Sequence, residues 1–152
     1  MQVEPSDSPG VVALVNAAQD ELVRRYGSGD QGPFDLPSFD PPHGSFVVAR
    51  DEQGHLLGGV GLRPIGDTEL SLGEIKRLWV RPDMRRAGVA DQLMEFVFAR
   101  ARELGVVRIY LETGDRQPEA QALYRKTGWT PTTDVPRGAH CHESGVWFTK
   151  PT

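Results

Sequence analysis

Apolar positions along the chain follow two rhythms. Val11, Leu14, Val15, Ala18 and Leu22 recur at helical spacing and predict a helix over Val11–Tyr26, closed by Gly27. The same spacing returns from Gly88 to Leu104. There Ala90, Leu93, Met94, Val97, Ala101 and Leu104 share one face, Asp91, Glu95 and Glu103 lie off it, and Gly105 ends the run. A third, shorter helix is signalled by "QPEAQALYRKTG", with Gln117 before Pro118 at the first helical position and Gly128 just past the end. Between these runs the rhythm is that of strands. "SFVVAR" and "HLLGGVGLRP" read as an antiparallel pair turning at "DEQG", "TELSLGEIKRLWV" as a long third strand, "VRIYLE" as a buried strand and "ESGVWFTK" as the last. The order helix, three strands, helix, strand, helix, strand or strands predicts a single α/β domain over residues 1–152, with a mixed sheet flanked by helices.

Composition narrows the class. The 152 residues suffice for one domain that buries roughly 70% of its unfolded surface. With 38% hydrophobic and 25% charged residues, and no apolar run near the ~20 residues of a membrane span, no bilayer contact is expected. The N-terminal "MQVEPSDSPG" lacks the basic and apolar regions of a secretory signal. The single cysteine, Cys141, allows no intrachain disulfide, so a cytoplasmic setting is expected. A net charge of −4 argues against general nucleic-acid binding, though a local basic patch can still hold a small anion.

That patch lies in "RPDMRRAGVADQL". A helix N-terminus carries unpaired N–H groups and partial positive charge, yet Arg85 and Arg86 stand beside this one, and neither Ala87 nor Gly88 supplies a capping side chain. A phosphate would accept the free N–H groups, be favoured by the helix dipole and pair with the arginines, while Gly88 and Ala90 leave the backbone open to close approach. The alternative is that Asp83 or Asp91 caps a helix beginning earlier or later and the arginines are merely solvated. Other glycine signals are weaker. "GGVGLRP" has Pro64 where a dinucleotide fingerprint needs its third glycine and no helix after it, so Gly59 and Gly61 point to tight packing or a bulge.

The run "EIKRLWVRPDMRRAGVADQLMEFVFARARELG", continued by "IYLETGDRQPEAQALYRKTGW", resembles the GNAT superfamily of acyl-CoA-dependent N-acetyltransferases. Its pattern Arg/Gln-x-x-Gly-x-Gly/Ala at a helix start is matched by Arg85, Gly88 and Ala90. The likeness is specific over about Gly73–Trp129 and looser from Val11 to Lys150. It implies a mixed, mostly antiparallel sheet. It further implies that Arg85, Arg86, Ala87, Gly88, Val89 and Ala90 hold the pyrophosphate of acetyl-CoA. The strand end at Leu78, Trp79 and Val80 would pair with the pantetheine arm, where that strand splays from "VRIYLE". Gln117 falls where many members carry an Asn that contacts the same arm; Gln is longer, and a helix cap is its other reading.

The resemblance also assigns chemistry. Glu74 sits where several members carry a general base, and Tyr124 where a tyrosine protonates the departing thiolate. An attacking amine must be neutral, which for a pKa near 10.4 costs roughly 4–5 kcal/mol at pH 7, so a proton acceptor is expected. The other reading of Glu74 is a solvent-facing strand residue, with Glu69, Glu112 and Asp115 as less favoured bases. The other reading of Tyr124 is a core tyrosine satisfied by a backbone carbonyl. The implied function is direct transfer of an acetyl group to a primary amine of a small molecule or peptide, with a homodimer as a family-level expectation. The alternatives are a non-catalytic acyl-CoA sensor on the same fold and a binder of some other phosphate-bearing ligand.

Two further stretches carry expectations. "AHCHES" gathers His140, Cys141, His142 and Glu143, but neighbours in sequence rarely converge on one ion without distant ligands, so no metal is expected. Ser28–Gly44, too irregular for an element, carries Asp30, Asp35, Asp40, Phe34 and Phe39. It is read either as an acidic, aromatic lid over a cationic amine or as a disordered surface connection.

Overall fold

The computed structural model describes residues 1–29, 35–66, 71–139 and 144–152. Seven strands form one mixed sheet in the order β1-β2-β3-β4-β5-β7-β6. They are β1 (Gln2–Glu4), β2 (Ser45–Arg50), β3 (Leu56–Ile65), β4 (Leu72–Val80), β5 (Arg108–Gly114), β6 (Thr130–Thr132) and β7 (Gly145–Pro151). Every neighbouring pair is antiparallel except β4 and β5. Three helices accompany them: α1 (Pro9–Tyr26), α2 (Val89–Glu103) and α3 (Pro118–Lys126). Among the described residues no helix is long and apolar enough to cross a membrane.

The helices form where spacing and punctuation direct them. Ser8 caps α1 by accepting from the Val11 amide at 3.2 Å, Pro9 opens it, and Gly27 closes it in the left-handed conformation, donating to Val23 O at 2.8 Å. The helix buries Val11, Leu14 and Ala18. Helix α2 lays Val89, Leu93, Val97 and Ala101 into the main core on the opposite face of the sheet, against Val47, Val60, Leu62, Ile75, Ile109 and Leu111. Strand β1, which the apolar pattern does not signal, is a three-residue edge strand bonded to β2, too short for period-two alternation to register.

The segment around position 36 also differs from expectation. Leu36–Phe39 forms a single 3-10 turn that drives Phe39 into a cluster with Val11, Leu14, Phe46 and Val48, its ring edge-on to Phe46. Asp40 accepts from the amide and hydroxyl of Ser6 at 2.8 and 2.7 Å. Phe39 and Asp40 therefore anchor the chain and do not form a lid, because an apolar ring and a satisfied carboxylate are both better placed inside. Asp30 and Phe34 lie outside the described residues.

Strands β3 and β4 do not run in even register. Their pairing shifts between Gly59 and Gly61: Gly59 faces Trp79 and Gly61 faces Lys76, so β4 carries an extra residue there, and Arg77 adopts φ 58°. Such a bulge bends and re-aims its strand. The glycines opposite make room for it. A Cβ on Gly58 would lie 2.6 Å from Trp79 O, and one on Gly59 would lie 2.7 Å from Val47 O and 2.6 Å from Leu14 Cδ1. Gly59→Ala is therefore expected to destabilise the fold by about 1–3 kcal/mol, read as a melting temperature several degrees lower.

Candidate functional site

The parallel ladder between β4 and β5 runs only from Leu72 opposite Arg108 to Ile75 opposite Leu111. Past the bulge at Arg77 the strands part. Residues 76–80 stay bonded to β3 on one side, and Glu112, Thr113 and Gly114 continue paired only with β7. The facing edges of the fork thus present main-chain polar groups with no strand between them, the kind of group that folded proteins normally pair. A cavity of about 670 Å³ occupies this fork and reaches from Glu74 and Lys76 through Leu78, Trp79 and Val80 to the start of α2, with Gln117 and Tyr124 on the far wall.

At one end of the cavity lies the turn before α2. Pro82–Met84 forms a 3-10 turn in which Asp83 pairs with Arg81, so Asp83 does not cap α2, and Asp91 already lies inside the first helical turn. The N-cap is Gly88, at φ 79° with no side-chain cap, and no atom lies within 4 Å of where its Cβ would stand. Arg86 is also left-handed, at φ 65°. Among the described residues, the first amide of the helix bonded back is that of Gln92, to Gly88 O at 3.1 Å. The amides of Val89 and Ala90 therefore open toward the cavity as an uncapped, electropositive helix end.

The two arginines part company here. Arg85 donates from Nε to Val80 O at 3.0 Å and from Nη2 to Glu21 of α1, whose same oxygen accepts from Trp79 Nε1 at 3.2 Å. Its guanidinium is thus engaged with protein, whereas Arg86 and Ala87 are exposed at the cavity rim. Nothing in the sequence marked Glu21 as the partner, since it stands 64 residues away on another element.

The carboxylate at position 74 is not solvent-facing: Glu74 is 0% exposed. Its Oε2 accepts from Arg63 Nε at 2.8 Å and Nη2 at 2.6 Å, Arg63 standing directly opposite across the β3–β4 ladder. Its Oε1 lies 3.3 Å from Lys76 Nζ but has no hydrogen-bond partner in acceptable geometry. Cross-strand and i+2 charge complementarity in "LRP" and "EIK" is a signal that would have found both cations. Of the less favoured bases, Glu112 is half-buried on the cavity wall, Asp115 is exposed, and Glu69 lies outside the described residues.

Tyr124 projects from α3 into the core, its ring tilted against Phe148 and edge-on to Trp129. It is 8% exposed, and burial pushes its phenol up to about 12 from an ordinary value near 10. Gln117 occupies the N-cap of α3 but makes no capping bond with its side chain, so the helix-cap reading is not what the structure shows. His140, Cys141, His142 and Glu143 lie outside the described residues, among which no three potential ligands gather to hold a metal ion.

The model of the acetyltransferase (GNAT) family matches residues 11–129. The chain belongs to this family. This GNAT chain is 36% identical over 97 residues to an uncharacterised N-acetyltransferase of Schizosaccharomyces pombe, covering 64% of this chain and 58% of that one. It is 34% identical over 119 residues to an IAA acetyltransferase of Azospirillum brasilense, covering 78% and 76%. It spans little more than half the length of the first curated relatives it matches, 58% and 52%. Among solved structures, a GNAT acetyltransferase from Elizabethkingia anophelis with acetyl-CoA bound superposes with a TM-score of 0.69 at 19% identity, covering 99% of this GNAT chain and 96% of that one.

The raised phenol has a thermodynamic signature. Because the folded state holds the Tyr124 proton to about 12 while the unfolded state releases it near 10, the folded state binds more protons across that window and stability falls as pH rises through it. The expected loss between pH 10 and 12 is up to roughly 3 kcal/mol. Difference absorbance titration of wild type against Tyr124→Phe is expected to isolate this one late-ionising phenol.

Proposed function

We propose that this chain is an acetyltransferase that moves an acetyl group from acetyl-CoA directly to a primary amine. The observation that carries the reading is one continuous cavity joining an uncapped helix N-terminus, an unzipped pair of parallel strands and a buried tyrosine. Acetyl-CoA supplies an activated thioester. The amides of Ala87, Gly88, Val89 and Ala90, with Arg86 at the rim, receive its diphosphate, as an anion at a helix start is expected to be received. Arg85 holds the loop in shape through Val80 and Glu21. The free edge of β4 at Leu78, Trp79 and Val80 offers main-chain groups to the pantetheine arm, with Gln117 opposite.

Proton movements fall to two side chains. Tyr124 keeps its proton at neutral pH and gives it to the departing sulfur. The phenol and the thiolate share one apolar wall, so burial raises the proton affinity of both, and the transfer is less uphill than the phenol's own shift suggests. Glu74 Oε1, the oxygen that Arg63 leaves free, takes the proton of the acceptor amine. A sensor without catalysis needs neither group, which favours the enzyme over the binding module.

Two measurements test this. Acetyl-CoA at ~100 times its Kd is expected to stabilise the protein by about 2.7 kcal/mol, a rise of about 5–10 °C in melting temperature. Dephospho-CoA, ATP and NAD are the comparison ligands. Gly88→Glu, which sets a carboxylate where the diphosphate is received, is expected to abolish the shift. In a thiol-release assay with a broad amine panel, Tyr124→Phe is expected to lower kcat by about 100-fold and leave the KM for acetyl-CoA unchanged. No acceptor-dependent thiol release from wild type would overturn the reading.

A further inference from the structure

Lys76 is a cation in surplus. Its side chain is 11% exposed, and among the described residues it pairs with no carboxylate but Glu74, whose charge Arg63 already meets with two hydrogen bonds on the other oxygen. Arg63 itself is 13% exposed, donates also to Gly138 O and is fully occupied. Around Glu74 there are thus two cations for one anion in a place nearly closed to water, and both Glu74 and Lys76 line the cavity. Unpaired charge in such surroundings is costly. The second unmet group is its neighbour: Glu74 Oε1 is buried without a hydrogen bond. A donor-seeking oxygen and an acceptor-seeking ammonium therefore stand 3.3 Å apart, on the same face of β4, at the mouth of the fork.

The chemistry that completes such a pair carries an amine and a carboxylate side by side. We infer that the acceptor is an α-amino acid, whose amine docks on Glu74 Oε1 and whose carboxylate docks on Lys76 Nζ. This rests on the transferase reading above and adds the substrate class and a specificity-determining residue. A free α-amino acid separates its two groups by a single carbon, which suits the short Glu74–Lys76 spacing. A simple amine would leave Lys76 unpaired, and a polyamine would bring a second cation against it. The acidic, aromatic lid that would favour a polycation has lost Phe39 to the core and Asp40 to Ser6.

The test uses the whole chain with acetyl-CoA and the standard amino acids, each beside its methyl ester and its decarboxylated amine, following thiol release. At least one amino acid is expected to exceed its ester and amine by about tenfold or more in kcat/KM, since removing the carboxylate leaves a buried cation unmet. Lys76→Met is expected to raise the KM for that amino acid about tenfold and to erase the preference over the ester, while the KM for acetyl-CoA moves less than about twofold. Lys76→Gln, which keeps a donor, guards against a folding defect and is expected to show the same rise in KM with a cooperative melt. Lys76→Arg is expected to restore much of the preference.

Esters or amines turned over as well as the acids, or a preference that survives Lys76→Met and Lys76→Gln, would overturn the inference and leave acetyl transfer standing. Absence of thiol release with every acceptor, together with no acetyl-CoA-induced rise in melting temperature, would overturn both.

Discussion

Neighbouring strands in a sheet twist against one another, and β4 and β5 hold their parallel register over only four residue pairs before the left-handed turn at Arg77 swings β4 toward β3. That parting depends on β3 having no side chains at Gly58 and Gly59, where β4 backbone, β2 backbone and α1 press close. It leaves a sheet with a full complement of hydrogen bonds on either side of a gap and unmatched main-chain groups within it. The start of α2, uncapped by any side chain, opens into the same gap, and α3 closes its far wall with Tyr124. An enclosed space edged by unpaired donors and acceptors is a site whose missing atoms belong to a ligand.

Electrostatics divide that space. At the helix end, partial positive charge comes from oriented amides, and the arginine nearest to them is committed elsewhere. At the sheet end, full charges are packed at close range: Glu74, Arg63 and Lys76 form a compact cluster in which the carboxylate has one satisfied and one unsatisfied oxygen. The first arrangement suits a diffuse, doubly charged anion, and the second suits a small molecule that carries both signs.

The elements that are long and strongly periodic were legible from sequence. Helices α1 and α2 fall within two residues of the spans their apolar spacing predicts, and the β2–β3 turn lies at "DEQG". The uncapped helix start was legible too, because a missing cap is a property of adjacent residues. What escaped were contacts between distant parts of the chain. No local pattern says that Glu21 meets Arg85, that Phe39 reaches the core from an irregular segment, or that β4 pairs with β5 at one end and leaves it at the other. Glu74 lies between these cases. Its position was visible, but its burial and its two cations emerged only once the β3–β4 register set Arg63 opposite it.

Glu21 joins parts that otherwise have separate duties. One carboxylate oxygen accepts from the Trp79 indole and the Arg85 guanidinium, and the other faces Arg25, which in turn pairs with Glu119 at the start of α3. Helix α1 is thereby fastened to both banks of the fork by polar contacts that water and salt can loosen. The width of the cleft is then tied to ionic conditions at a helix that touches neither Tyr124 nor Glu74, so selection can tune how readily the two banks separate without altering any group that handles protons.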